Sequence, residues 1–471
     1  MELFLLACLA LIVGYIFYGL LAEKIFGISE KKTPAVQKAD GVDFIPLPPY
    51  KIFLIQFLNI AGLGPVFGAI LGAVYGPVCL FWIVLGSIFA GAVHDYFSGM
   101  ISLRHDGKSA TFLIEQYLGK HARYIGMALI IFMLLLVGSI FASSPAKMLQ
   151  EMTGTSLTIW LCVIFGYYFL ATLLPIDKII GRFYPVFGLC LILSTFLLLF
   201  FLFKSGTEFY PNLNFHNQHP KGLPIFPLMF VTIACGAISG FHSTQSPMMA
   251  RCLTHEKYGR PIFYGAMITE GIVALIWATL GISFYQGSAA LGKAVGTIQP
   301  GGVVSEVSKG LLGDTMSVFV VISVIILSIT TGDTCFRSAR LSCADFFKVS
   351  QKQFSKRLAL TLALFAGGIA LAMIDTDKIW TYFGWLNQSL ACTMLWVSSF
   401  YLKGKKKNYW ITLVPAVFMT AVCSTYFAYA PILLGLPYRA SVIFGVSVAT
   451  IFGALFLFRP FRKTTQGGIK K

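Results

Sequence analysis

Long apolar runs alternate with short polar gaps along the whole chain. Thirteen runs predict thirteen membrane helices, at about 3–21, 52–74, 77–103, 124–142, 157–175, 183–203, 224–245, 262–285, 315–333, 358–374, 379–402, 410–430 and 440–458, close to the roughly 20 residues a bilayer core requires. The first run follows Glu2 with no basic region before it and no small-residue cleavage site after it. It therefore reads as a retained helix rather than a signal peptide.

Two runs cannot be continuous helices. In the seventh, CGAISGFHSTQSPMMA (235–250), Gly236, Gly240 and Pro247 are expected to break the helix. Ser239, His242, Ser243, Thr244, Gln245 and Ser246 lie between and around the breaks, which is costly in hydrocarbon unless they face a cavity or each other. In the second run, IAGLGPVFGA (60–69), Gly62, Gly64 and Pro65 make the break, with Gln56 and Asn59 ahead of it. An interrupted helix bares main-chain groups at mid-membrane depth. The N–H end attracts a carboxylate and the carbonyl end a cation. Ile-Ala-Gly at 60–62 can be laid over Ile-Ser-Gly at 238–240, and broken spans at matching places in two halves point to a transporter's central site. Gly68 to Gly72 fits a plainer role, a small-residue face for helix packing.

Composition agrees: 57% of the 471 residues are hydrophobic and only 12% charged, where soluble proteins carry about a quarter. The net charge of +17 sits in the gaps between runs and makes no basic recognition surface, which excludes a nucleic-acid partner. The ten cysteines include no CxxC and mostly lie inside apolar runs, as buried thiols do. Of the 36 lysines and arginines, 29 fall in the gaps after odd-numbered runs and 7 after even-numbered ones. Cytoplasmic loops are the basic ones, so the N-terminus is expected outside. The tail with Arg459, Arg462, Lys463, Lys470 and Lys471 is expected in the cytoplasm. Spans two and seven are then antiparallel, as an inverted repeat requires. The expected fold is all-α and polytopic. It has a peripheral helix over 1–26, five-helix repeats over 52–204 and 224–402, two peripheral helices over 408–458 and a cytoplasmic basic tail over 459–471. An amphipathic stretch, 109–118, and a short helix at 303–311 within the outer loop 286–314 would be symmetry mates.

The candidate substrate-binding residues are Gln56, Asn59, Gly62, Gly64, Gly240, His242, Ser243, Gln245, Asn387 and Gln388. A histidine can donate to or pair with a carboxylate, and an Asn-Gln pair in an apolar span implies buried hydrogen bonds to substrate or between helices. The candidate coupling residues are Asp95, Thr330, Thr331 and Asp333. Asp95 is an intramembrane carboxylate beside His94, for which a structural ion pair with Arg104 is the rival role. Thr330, Thr331 and Asp333, with free carbonyls from span two, would suit a hard cation such as Na⁺; helix-terminal hydroxyls bonding back to carbonyls are the plainer account. HExxH, GxSxG, Walker and metal-spaced Cys/His motifs are absent.

QFLNIAGLGPVFGAILGAVYG (56–76), GAVHDYFSGMISLRHDGKS (91–109), CGAISGFHSTQSPMMA (235–250), TTGDTCFRSARL (330–341) and FGWLNQSLA (383–391) together resemble the carbon starvation protein A family. That resemblance implies a transporter of peptides or pyruvate, active in carbon starvation and grouped with amino acid–polyamine–cation carriers of five-plus-five architecture. It also makes Thr330 and Thr331 similar to the hydroxyl pair that holds sodium in several relatives. The expectation is a cation-coupled importer of peptides or a small carboxylate, in the cytoplasmic membrane, with no cofactor beyond a coupling H⁺ or Na⁺. The alternatives are an intramembrane enzyme using His94, Asp95 or His242 as a base, and a non-transporting solute sensor.

Overall fold

The computed structural model describes residues 1–458 except 42, 175–179, 212, 352 and 375; the side chains of 180–181 and 376–381 are also outside the described residues. The basic tail, 459–471, lies outside them too. All regular structure among the described residues is helical. Among the described residues, nine helices are long and apolar enough to cross a membrane, or ten if the bent pair Pro49–Ala61 and Gly64–Ala73 is one span. Of the thirteen expected spans, the other three positions hold a shorter apolar helix (Leu157–Leu173), the broken stretch 225–250, and Thr376–Gly404, whose apolar run carries Asn387 and Gln388. Length and composition alone do not carry the count of thirteen.

Helices Glu256–Phe284 and Cys79–Arg104 form the centre: 83% and 78% of their most apolar stretches are buried, against 22% in Glu2–Phe26, Phe354–Ala372 and Tyr438–Phe458. Those outer helices display Leu5, Leu9, Phe17, Ile443 and Phe452, as suits rods bathed in lipid tails. The most apolar stretch of Trp410–Tyr429 is 67% buried.

Both expected breaks are present. The second span bends by 53° at Gly62, whose φ of +44° and ψ of −154° belong to a region glycine occupies almost alone. The seventh is helical over 225–232, irregular to Phe241, then helical again over His242–Ala250. Pro247 does not act as a breaker. It rides inside that nine-residue helix, where only the second turn loses a main-chain donor and the tightly packed surroundings hold the backbone in place. The two broken spans lie against each other. Gly64 has no room for a side chain beside Cys235, nor Gly72 beside Ile233, and a Cβ on Gly68 would stand 3.1 Å from the Thr232 carbonyl. Glycines every fourth residue thus let the two backbones meet.

Neighbouring helices satisfy the irregular stretch. Trp82 Nε1 donates to the Ile233 carbonyl at 3.3 Å and Ser87 Oγ to that of Gly236 at 3.0 Å. The two surface elements also form. Ala110–Leu118 is a helix. Ser288–Phe347 is kinked at Gln299 and Gly313 into rods, the middle one of which contains 303–311.

Candidate functional site

The site is assembled around the break in the seventh span. Helix Cys79–Arg104 passes close to it because Gly91 presses against the Ala237 carbonyl, and a π turn over Ser87–Gly91 precedes the turn that carries His94 and Asp95. Asp95 is fully buried. Its Oδ1 lies 2.8 Å from His94 Nδ1 and its Oδ2 2.9 Å from His242 Nδ1. A carboxylate only accepts, so both imidazoles donate from Nδ1 and, when neutral, present Nε2 as a lone pair. His242 Nε2 faces Glu270 Oε2 at 3.5 Å. Neither Nε2 and neither Glu270 oxygen has a hydrogen-bond partner among the described residues.

His94, Asp95, His242 and Glu270 therefore form one buried row drawn from three helices. Arg104 is not the partner of Asp95. It reaches Glu256 through Nε at 3.0 Å and Nη2 at 2.7 Å, at the helix end. Glu270 was missed by the sequence reading. The signal was available, since the rule that selects Asp95, a carboxylate within an apolar run, selects Glu270 equally. Cys235 Sγ completes a corner with His242 and Glu270: their ligating atoms lie within 4.8 Å of one another.

Asn387 fastens the break. Its Oδ1 accepts from Ser239 Oγ at 3.0 Å and from the Phe241 N–H at 2.8 Å, and its carbonyl accepts from the Gly240 N–H at 3.1 Å. Gly240 packs against the backbone of Asn387 and Ala391, so it serves close approach. Ser243 Oγ turns back to the Gly240 carbonyl at 2.6 Å. Gln388 Nε2 donates to the Phe230 carbonyl at 3.2 Å.

On the second span Gln56 Nε2 reaches Ser246 Oγ at 3.3 Å, joining the two broken spans by side chains. Gln245 Nε2 donates to Thr244 Oγ1 at 3.0 Å. Gln56 Oε1, Gln245 Oε1, Asn387 Nδ2 and both amide atoms of Asn59 are buried without partners among the described residues.

The four oxygens expected to hold a cation point different ways. Thr331 Oγ1 does reach span two, 3.3 Å from the Leu58 carbonyl just before the break. Thr330 Oγ1 bonds to its own helix, at the Ile326 and Leu327 carbonyls. Asp333 Oδ2 accepts from Tyr184, and its Oδ1 has no partner among the described residues. Residues 331 and 333 sit on nearly opposite sides of a helix, which is why only one of them meets the break.

Two spans interrupted in mid-course, packed break to break beside buried polar groups, define a helical carrier of the secondary-transporter class. A Na⁺-coupled sialic acid symporter solved in a substrate-bound, outward-open state has the same fold, with a TM-score of 0.57 over 96% of this chain and 98% of that one at 12% identity. The chain belongs to the carbon starvation protein CstA family, whose profile matches residues 1–163, 144–297 and 290–426. It is 44% identical to an uncharacterized membrane protein of Haemophilus influenzae over 60% of this chain and 91% of that one. It is 24% identical to the peptide transporter CstA of Escherichia coli over 87% of this chain and 78% of that one. The pyruvate/proton symporter BtsT of the same organism is 28% identical over 56% of this chain and 46% of its own. The protein is a multi-pass membrane transporter and not an enzyme.

Proposed function

We propose that the chain imports a small carboxylate-bearing nutrient, a short peptide or a pyruvate-like acid, across the bacterial inner membrane by alternating access during carbon starvation. One observation carries this reading: the polar deficit at the two breaks, where Asn59, Gln56 and Gln245 hold buried atoms without partners among the described residues. Each such atom costs about 1–3 kcal/mol; a ligand carboxylate would accept from Asn59 Nδ2, while the N–H groups of a peptide or a coupling cation would meet the oxygens of Gln56, Asn59 and Gln245. The N-terminal end of His242–Ala250 adds the positive end of a helix dipole. The names of the E. coli relatives support the substrate class. The charge alternation supports thirteen spans with the N-terminus outside, the tail 459–471 inside, and 52–204 and 224–402 as inverted repeats.

Uptake is coupled to H⁺ or Na⁺. Of the two coupling carboxylates drawn from the sequence, Asp333 is favoured: it lies on the helix whose Thr331 touches the Leu58 carbonyl, and one of its oxygens is buried without a partner among the described residues. Asp95, held between two histidines, is the less free of the two carboxylates.

Proteoliposomes given an imposed pH or Na⁺ gradient should accumulate labelled pyruvate or a labelled dipeptide. Asn59→Ala should lower uptake at least tenfold without loss of the folded protein. Binding without accumulation under either gradient would instead favour the sensor, and no response to any of these solutes would sink the proposal.

A further inference from the structure

The corner formed by Cys235, His242 and Glu270 shares His242 with the candidate substrate residues, but Cys235 and Glu270 have no part in the transport reading. We propose that it is a binding site for a borderline divalent transition metal of the zinc class, held by Cys235 Sγ, His242 Nε2 and a Glu270 carboxylate oxygen.

Three features point there together. The donor set is one soft thiolate, one imidazole and one carboxylate, the mixture that zinc and cobalt(II) accept and that magnesium and calcium do not. The three atoms lie within 4.8 Å of one another, and His242 Nε2 stands 3.5 Å from Glu270 Oε2. The 3.5 Å between His242 Nε2 and Glu270 Oε2 suits two ligands about 2.0–2.2 Å from a shared tetrahedral ion, and Cys235 Sγ, within 4.8 Å of both, would close in on it. All three residues are buried, and His242 Nε2 and both Glu270 oxygens lack hydrogen-bond partners among the described residues.

The second shell agrees. A ligating histidine usually gives its other ring N–H to a carboxylate, which fixes the tautomer and raises its basicity. His242 does this to Asp95 at 2.9 Å, and His94 holds the other Asp95 oxygen at 2.8 Å. Asp95 is thus a positioning residue for the metal.

Binding releases the thiol proton, and the carboxyl proton where Glu270 carries one. Three protein ligands leave one position for water or a small carboxylate. The ion would brace the unwound stretch, since Cys235 stands within it, His242 directly after it and Glu270 on the neighbouring helix.

The test uses the full-length protein in detergent, stripped with a chelator and titrated with Co²⁺ alone. We expect one equivalent, with a sulfur-to-cobalt charge-transfer band in the near ultraviolet and visible bands of tetrahedral intensity, both displaced by Zn²⁺. Cys235→Ser should abolish the charge-transfer band. The exposed thiol control, Cys162→Ser, should keep it. Asp95→Asn should weaken Co²⁺ binding about 10–100-fold. Gel filtration and thermal melting of each variant establish that it is folded. Zn²⁺ should raise the melting temperature of the parent chain and not that of Cys235→Ser. Absence of a stoichiometric band in the folded parent, or a band that survives Cys235→Ser, overturns the assignment whether or not the protein transports pyruvate or peptides.

Discussion

At Gly64 the missing Cβ is what lets the second span touch Cys235, and the same contact makes the position intolerant. Gly64→Leu should lose at least the 1–3 kcal/mol typical of overpacking, read as a lower melting temperature in detergent. Gly166, around which a Cβ would meet nothing, is the control. Gly166→Ala should be neutral or gain up to about 1 kcal/mol from helix propensity. Individual residues were legible in the sequence where chemistry clashes with hydrocarbon. Asp95 and His242 stood out for that reason, and the structure ties them together. Glu270 obeys the same rule and went unread because its span, 262–285, holds no second charged residue or histidine to draw attention to it. Cys235 was hidden by its type, since a thiol in an apolar run is ordinarily just a small hydrophobe.

At the scale of elements, the irregular stretch after residue 232 stays in place through Asn387, which serves three polar atoms of Ser239, Gly240 and Phe241. Asn387→Leu keeps the shape but removes the side-chain acceptor, leaving a buried N–H and a hydroxyl unsatisfied at about 1–3 kcal/mol each. Amide hydrogen exchange across 236–242 should then rise at least tenfold, while the amides of Trp410–Tyr429 hold their rates. Equal rates across 236–242 in the two proteins would mean the stretch is held by its packing alone. The breaks themselves were legible because Gly62 and Gly236 mark them. What Asn387 does was not, since sequence cannot say whether a buried amide faces a solute or a neighbouring backbone. The dispersal of Thr330, Thr331 and Asp333 was likewise invisible until the helix's rotation was known, although residues 331 and 333 differ by about 200° on any helix.

Across the whole molecule, the loop between the first two spans is fastened to the remote end of the long helix Ser288–Phe347. Asp43 Oδ1 lies 3.4 Å from Arg340 Nη2 and 3.7 Å from Arg337 Nη1. Burial works to raise the Asp43 pKa, but Arg340, Arg251 and Arg337 outweigh it and hold the carboxyl below its ordinary value. A depressed folded value means that the stabilisation is fully present above about pH 3.9 and is lost as pH falls through the lower, folded value. Asp43→Asn should remove that acid-side loss from the stability profile. It should also destabilise the chain by up to about 3–5 kcal/mol at neutral pH by stranding buried guanidinium groups, which chemical denaturation in detergent at pH 7 and at about pH 2.5, below the unfolded carboxyl value, would measure. The glycine-to-backbone seam from Gly64 to Gly72 has a mechanical corollary of its own. Surfaces keyed so tightly cannot slide past one another, so the interrupted spans must travel as one body. Any exchange of exposure between the two sides of the bilayer then falls to the rods around them, turning about that shared axle.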